Sequence, residues 1–538
     1  MNRTEIRTSG HKEAALASSV GRVTVDVVVV GGGGAGLAAA IEAASQGRSV
    51  VLIEKNEKLG GSTAMSIGSL SGTNTPQQLR KGILDSPDHQ FEDMAKFREF
   101  SGRIRNSPRP VPNNLTLRRL FVDHVPETVH WLTSMGVEFY GPLAEMPHRK
   151  PRMLIVLPNS KAYIYNLARA AHKRGVDIRT SVRARKLIVE AGRVDGILCD
   201  TSDGAVECYA RGGVVLATGD FAANPEMIAK YLPAMSYARP TNPTATGDGH
   251  LMVEEVGGRI VDTTLQSAGI RFQPPPWKWI FALPAHPFFT RFMRWGMEHL
   301  PGWLIRPLVV SQMTTLTVPS RYLFNYGSVL INKRGERFTD ELKNPGDSAK
   351  PALIGQPDGI GYILMDRKIA DKFSQWPCYV STAPGIAYAY IPDYRRTRKD
   401  IFHEAKTLAA LARKLDIPAA TLEKTVADFN ASLSDSDKKS GRLGLDAGPF
   451  VAMGPVRHYL NFADSGVAVS DRLEVLGADD KPIPGLYAAG FIGMGGVTLQ
   501  GHGHHIGWAF TSGRLAGRYA AYRSVTEDPP VDHSHTYQ

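Results

Sequence analysis

The stretch TVDVVVVGGGGAGLAAAIEAASQGRSVVLIEK, residues 24–55, decides the fold class. Val25 to Val30 is an apolar, β-branched run of the kind that forms a strand covered on both faces. Glycines follow it, then an Ala-rich helix, then a second strand from Ser49 to Ile53 that ends at Glu54. That is a βαβ unit. Gly31, Gly33 and Gly36 fill the GxGxxG positions. The first permits a tight turn, the second close approach of a pyrophosphate, and the third close packing of helix on strand. The helix start then offers unpaired N–H groups and a partial positive charge to phosphates. Glu54 closes the second strand, where a carboxylate can accept bonds from a ribose diol. With strand, helix and acid in register, the unit reads as a dinucleotide site.

Outside this unit the composition is that of an ordinary globular protein. Of 538 residues, 43% are hydrophobic and 21% charged, which excludes wholesale disorder, collagen and coiled coil. Lys and Arg number 63 against 52 for Asp and Glu, a net charge of +11. The basic residues are scattered, so the charge reads first as solvation, and no nucleic-acid partner is expected. Cys199, Cys208 and Cys378 form no CxxC, which argues against a zinc ribbon, a redox pair and a disulfide framework. The segment from Met1 to Val25 holds no signal-peptide core or twin arginine. No uninterrupted apolar stretch reaches the roughly 18 residues of a membrane span. The expectation is a cytoplasmic enzyme.

Directly after the acidic residue comes KNEKLGGSTAMSIGSLSG, residues 55–72, with a second glycine pair and hydroxyls. VVLATGD (Val214 to Asp220) and IPGLYAAG (Ile483 to Gly490) are two further buried strand ends. A nicotinamide-binding half needs none of these distant pieces. On GGGGAGLAAAIEA, EKNEKLGGST, ATGD, TATGDGHLM (residues 244–252), VLINKRGERFTDE (residues 329–341) and PIPGLYAAG followed by SGRLAG, the chain resembles the fumarate reductase and 3-ketosteroid dehydrogenase superfamily of flavoproteins. The likeness spans about residues 24–520.

The resemblance implies an α/β fold with a Rossmann-type FAD-binding domain split in sequence, residues 23–262 and 451–524, and an inserted α+β capping domain, residues 263–450. Residues 1–22 and 525–538 read as tails. FAD is expected against Gly31, Gly33, Gly34, Ala35, Gly36, Glu54, Lys55, Gly61, Ser62, Thr63, Gly219, Asp248, Gly490 and Ile506. Covalently flavinylated relatives attach FAD through a His near the second glycine pair; none stands there, so non-covalent FAD is expected. Within the cap, LINKRGERF reads as strand, turn and strand, and Leu408 to Asn430 as helical with a new start at Pro418.

Residues 274–319 form an unusual insert holding Trp277, Trp279, Trp295 and Trp303. On a helical wheel Phe288, Phe289, Phe292, Met293, Trp295 and Leu300 share one side, and Arg291, Arg294 and Glu298 the other. This reads either as a cap helix packed on the core or as an interfacial helix. The second would lie on a membrane through residues 277–310 or ring the entrance for a greasy substrate.

The catalytic pattern differs from both branches of the superfamily. Fumarate-reducing relatives carry a proton-donating Arg, and ketosteroid 1,2-dehydrogenases a Tyr, shortly after the RFxxE element; here that place falls on or near Pro345. Alignment on SGRLAG puts Gly496 and Gln500 where dicarboxylate reducers carry a clamping His and Arg. Gln lacks the guanidinium fork that a bidentate clamp needs. The ketosteroid dehydrogenases' loop Tyr falls on Leu499, while their oxyanion-binding Gly is kept as Gly503. His502, His504 and His505 are the obvious substitutes, His504 foremost, since imidazole can donate to an oxyanion or move a proton near neutral pH. No carboxylate or Cys partner follows at ligand spacing, so no metal is expected. Tyr326 is a phenol donor candidate, ahead of Tyr322, Tyr388 and Tyr390.

These residues imply an FAD-dependent oxidoreductase acting on a CH–CH bond beside a carbonyl, on the ketosteroid-dehydrogenase-like side of the superfamily. The expected reaction dehydrogenates a small hydrophobic, cyclic or steroid-like ketone and hands electrons to an unidentified acceptor. The alternatives are an ene-reductase of an α,β-unsaturated carbonyl or carboxylate, and a non-catalytic flavin-binding subunit.

Overall fold

The computed structural model describes residues 21–100, 110–236, 238–263, 265–275, 279–315, 318–342, 349–383 and 387–522. The opening unit consists of β1 (Gly21–Val30), α1 (Gly34–Ser45) and β2 (Val50–Ile53). β1 runs parallel between β2 and β3 (Gly204–Leu216). Asp177–Arg179 extends the sheet beyond β2, and Pro482–Ala488 extends it beyond β3. Val27 to Val30 are buried at the sheet's centre. Their burial contributes about 1.5–3 kcal/mol per side chain. The strand ends expected at Val214–Asp220 and Ile483–Gly490 therefore meet the first glycine turn from opposite ends of the chain.

A second core belongs to the cap. Its sheet is organised on β4 (Phe450–Ala463), which pairs antiparallel with Gln266–Phe272, Gly361–Met365 and Phe402–Ala405. β4 was expected to open the second FAD-domain stretch at residue 451, but its hydrogen bonds place it in the cap sheet. LINKRGERF forms the strand Val329–Ile331, a turn closed on Asn332, and a bridge from Ile331 to Arg337. Helices at Leu408–Leu415 and Ala419–Ser432 follow, the second capped by Pro418.

The insert forms α2 (Pro287–His299) and α3 (Gly302–Met313). Trp277 lies outside the described residues. Neither side of α2 packs as a core face: Phe289 and Met293 are half-buried, and Arg291 and Glu298 are exposed. Thr290 and Gly296 are buried, whereas Phe288, Phe292, Trp295 and Leu300 are exposed. The cause is Glu138, a buried carboxylate on Glu138–Leu143. It holds Arg294 inward at 3.5 Å, while Arg291 reaches it from the surface at 3.1 Å.

The chain then returns to the first domain through α4 (His504–Tyr522). α4 packs directly on α1. A Cβ at Gly513 would meet Ala35 O at 2.3 Å, and one at Gly517 would meet Ala39 O at 2.2 Å. The SGRLAG signature is thus a close-approach device that fixes where the start of α4 lies. Buried ion pairs complete the contact: Glu42 accepts from Arg514 at 3.2 Å and from Arg518 at 2.7 Å.

Candidate active site

One cavity of about 1070 Å³ runs from the first glycine turn to the start of α4, with cap residues on its far wall. This is the upper end of small-molecule sites, with room for a dinucleotide and a reactant. Of the expected cofactor-binding residues, Gly31, Gly33, Gly34, Ala35, Glu54, Lys55, Gly61, Ser62, Thr63, Gly219, Asp248, Gly490 and Ile506 line it. Gly36 does not. A Cβ there would stand 1.8 Å from Gly31 O, so its role is helix-to-strand packing.

The walls fit FAD on the structure's own terms. A Cβ at Gly33 would meet only Gly60 O, at 3.8 Å, and one at Gly219 would meet nothing within 4 Å. Both glycines therefore leave open space that a side chain would fill. Gly33 caps α1 without a side-chain bond, and the helix has no acid in its first turn. Gly34 N–H is taken by Thr63 Oγ1 at 3.1 Å, and the rest of the first turn, with its partial positive charge, suits an anion. Glu54 accepts from Gly32 N–H at 2.7 Å and from Asn56 at 2.8 and 2.7 Å. A carboxylate with about four acceptor positions keeps one for a ribose hydroxyl. Lys55 and Asp248 bond each other at 2.8 Å, and Arg183 reaches Asp248 at 3.0 Å. Burial pushes the Asp248 carboxyl up, but those two cations outweigh it and hold it below the usual range.

The reactive end differs from the sequence expectation. His502, Gly503 and His505 line the cavity, and His504 does not. The His504 ring is fully buried edge-on against Phe97, Phe121 and His148, with Nδ1 donating to Gln500 O at 2.5 Å. Burial pushes it down to about 4, so it is neutral near pH 7, with its one N–H engaged by Gln500 O. The physical reason is helix phase: at the start of α4, 504 turns inward while 505 turns to the cavity, and 502 reaches the cavity from the turn just before the helix. Tyr326 is also misplaced by the sequence reading. It packs edge-on against Phe373, with the Lys372 ammonium 4.9 Å from its ring, outside the cavity wall. Tyr388 and Tyr390 sit in the cap beside Trp376 and Arg306. Pro345 lies outside the described residues. Among the described residues no cluster could hold a metal.

Two histidine–carboxylate couples flank Gly503. His502 Nδ1 is 2.5 Å from Glu145 Oε1, and the His502 N–H also donates to Glu145 at 3.1 Å. His505 Nε2 donates to Asp464 Oδ1 at 3.1 Å, and its ring stacks on Phe491. The loop is pinned by Ser71 Oγ donating to His502 O at 2.8 Å. Gly503 takes a left-handed φ of +84°, and a Cβ there would be 2.6 Å from the backbone of Leu70.

Glu145 is itself positioned from behind. His148 N–H donates to Glu145 O at 2.9 Å, and the His148 Nδ1 is 2.8 Å from Arg152 Nη1. Arg152, fully buried, donates to Asp85 at 2.6 and 2.8 Å and to Asp93 at 2.8 Å. Breaking such a pair costs about 3–5 kcal/mol, so the turn is rigid. On the cap side Arg271 and Arg321 line the cavity. Sequence reasoning missed Glu145, Asp464 and both arginines. Arg321 immediately precedes the YLFNYG stretch considered for its tyrosines, whereas no motif or spacing marks Glu145.

The FAD binding domain family matches residues 26–277 and 299–500. The chain belongs to that family. It is 30% identical over 530 residues to a fumarate reductase (cytochrome) of Shewanella frigidimarina, covering 96% of this chain and 80% of that protein. The open conformation of a flavocytochrome c3 fumarate reductase superposes with a TM-score of 0.71 at 27% identity, over 94% of this chain and 79% of that one. A 3-ketosteroid-Δ4-(5α)-dehydrogenase of Rhodococcus jostii shares the fold, with a TM-score of 0.56 at 23% identity over 94% and 99%. The likeness to the fumarate reductases carries the higher identity, and the dehydrogenase shares the fold. The protein is an FAD-dependent oxidoreductase of C=C or CH–CH bonds, which displaces the non-catalytic alternative.

Proposed function

We propose that this FAD-binding-domain enzyme reduces a carbon–carbon double bond conjugated to a carbonyl or carboxylate, in a substrate with an anionic group. The observation that carries this reading is the pair Arg271 and Arg321 on the cap wall of a cavity whose other wall holds His502 and Gly503. Guanidinium groups recognise carboxylates by charge-assisted bonds. The clamp that Gln500 cannot supply would come from the cap instead.

FAD, when bound, supplies two-electron hydride chemistry. It would be held non-covalently by the glycine turn, Glu54 and Ser62–Thr63, since residues 60–72 contain no His, Cys or Tyr. His502 would deliver or remove the substrate proton. Glu145 would hold the ring in one tautomer and stabilise its charged form. The Gly503 N–H and the start of α4 would stabilise charge developing on the carbonyl oxygen. Dehydrogenation of a cyclic ketone is the second reading, favoured by Met65, Ile67 and Phe97 on the same cavity wall. Cytoplasmic placement, with Cys199, Cys208 and Cys378 as free thiols, belongs to the same proposal.

Dithionite-reduced enzyme, mixed anaerobically with fumarate, acrylate, urocanate and uncharged enones, tests it. The expected result is flavin reoxidation by an unsaturated carboxylate. Arg271→Met or Arg321→Met should raise the half-saturating concentration about 10- to 150-fold, the worth of one charge-assisted bond. Reoxidation by neutral enones alone, unaffected by either substitution, would overturn it. Bleaching of the oxidised flavin by a saturated ketone would favour the second reading.

A further inference from the structure

α2 presents an outward aromatic ladder. Phe292 stacks on Trp295 at 6.0 Å and 22°, and Trp295 on His299 at 5.5 Å and 18°. Phe288, one turn earlier, is 79% exposed, and Trp303, at the start of α3, is 73% exposed. Trp279 and Leu304 are exposed beside them. Apolar side chains in such continuity on a free surface mark an interaction site.

The insert that carries the ladder is tied to the cavity mouth through its first turn. Met65 and Ile67 line the cavity and are themselves exposed. Ala64 O accepts from Ser160 Oγ at 2.7 Å, Asn159 Nδ2 donates to Ile280 O at 3.0 Å, and the Lys161 ammonium lies 5.5 Å from the Phe281 ring. Through these contacts the Trp279–Ala282 turn of the insert is anchored to the segment carrying Met65 and Ile67.

The insert's own charge is mostly positive. Residues 279–315 carry Arg291, Arg294 and Arg306 against one acid, Glu298; Glu138 and Asp393 pair with these arginines from neighbouring elements, and the Arg291 side chain stays 66% exposed. Lys161 and Arg169 add exposed cations on the neighbouring helix Lys161–Lys173. Trp and Phe on one face, with Arg and Lys at the border, suit the headgroup region of an anionic bilayer. Among the described residues no helix is long and apolar enough to cross a membrane, so the fit is to its surface.

We propose that the α2–α3 face docks on an anionic lipid bilayer and turns the Met65–Ile67 mouth toward it, so that a lipid-dissolved reactant carrying its carboxylate on an apolar body reaches the cavity from the membrane. Docking stands on the surface alone; delivery rests on the function proposed above.

Holoenzyme is mixed with phosphatidylcholine vesicles, with and without about a third phosphatidylglycerol, and floated without substrate. Brominated lipid then reports tryptophan depth. The expected result is flotation with anionic vesicles, weakening with salt, together with quenching of tryptophan emission. Phe292→Ser/Trp295→Ser/Trp303→Ser should weaken partitioning at least tenfold while keeping bound flavin and its melting temperature. Single Phe288→Ser is the milder control and should weaken it several-fold. Failure of wild type to float, or equal flotation by the triple variant, would overturn docking. A dimer that dissolves in the triple variant, with no vesicle binding, would also overturn it by assigning the face to a second copy. Vesicle binding without faster turnover of a lipophilic substrate than of a water-soluble one would refute delivery alone.

Discussion

Gly33 and Gly36 stand three residues apart in one motif, yet alanine at each should fail for a different reason. Gly33 has φ −80° and ψ −171°, ordinary extended backbone that any residue adopts. Its added Cβ would meet nothing closer than Gly60 O at 3.8 Å. Gly33→Ala should therefore leave the flavin-free protein as stable as wild type, or more stable by about 0.4–1 kcal/mol through a less flexible unfolded chain. The methyl group would stand where the pyrophosphate must approach. Loss of one charge-assisted bond, about 1.5–3 kcal/mol, should weaken FAD binding about 10- to 150-fold. Gly36→Ala places a Cβ 1.8 Å from Gly31 O and 3.0 Å from Gly31 C, so α1 must move off the strand end. Overpacking of that kind costs about 1–3 kcal/mol or more. The flavin-free protein should melt measurably lower, and FAD affinity should fall with it. Titration of flavin-free protein by quenching of FAD fluorescence, with a thermal melt of the same samples, separates the two. A Gly33→Ala protein that binds FAD within threefold of wild type would refute the cradle argument. A Gly36→Ala protein with an unchanged melt would refute the packing argument.

Glu145→Gln keeps the shape beside His502 but removes the charge that orients it. Flavin content should be unchanged while single-turnover reoxidation slows about 10²- to 10⁴-fold, the range of lost general acid catalysis. His504→Phe should keep that step within about tenfold, because its ring already packs among Phe97, Phe121 and His148, whereas His502→Phe should match the Glu145 variant; equal losses at 502 and 504 would restore a direct role to His504. Burial pushes Asp220 up to about 7, so the folded state keeps a proton that the unfolded chain releases near pH 4. The stability from that neutral carboxyl is full below about pH 4 and is lost as the pH rises through about 7. Asp220→Asn should raise the melting temperature at pH 8 and flatten its decline between about pH 5 and 8, and an unchanged slope would count against the assignment.

The first domain was legible because its signals are local. A buried strand, a glycine turn and an acid at a strand end all lie between Thr24 and Lys55, and each carries its own steric reason. β4 was not legible as cap. FVAMGPVRHYLNFA reads equally well as a strand of either sheet, and only its partners at Gln266–Phe272, Gly361–Met365 and Phe402–Ala405 decide. The wheel of α2 found two sides but not which residues are covered, because the buried Glu138 that holds Arg294 inward belongs to a strand far earlier in the chain, Glu138–Leu143. The three histidines differ for a similar reason. In GHGHH each is equally polar, and burial follows from the phase at which α4 begins, which spacing does not reveal. Glu145 lies 357 residues from the imidazole it holds.

The frame of the site nevertheless does not depend on those side chains. The start of α4 is located by Gly513 and Gly517 against the α1 backbone, and by Gly503 against Leu70 and Ser71. None of these contacts uses a side chain at 502, 504 or 505. Substitutions in that loop can therefore exchange the chemistry at the cavity while the backbone N–H groups and the positive end of α4 stay where they are. That is how a chain with Gln500 and Leu499 at the superfamily's Arg and Tyr positions can keep a place for charge on an oxygen. On the proposed function, the proton-carrying group has only to arise within reach of that fixed point, and the Glu145–His502 couple at its edge would supply it with an acid from a different part of the chain.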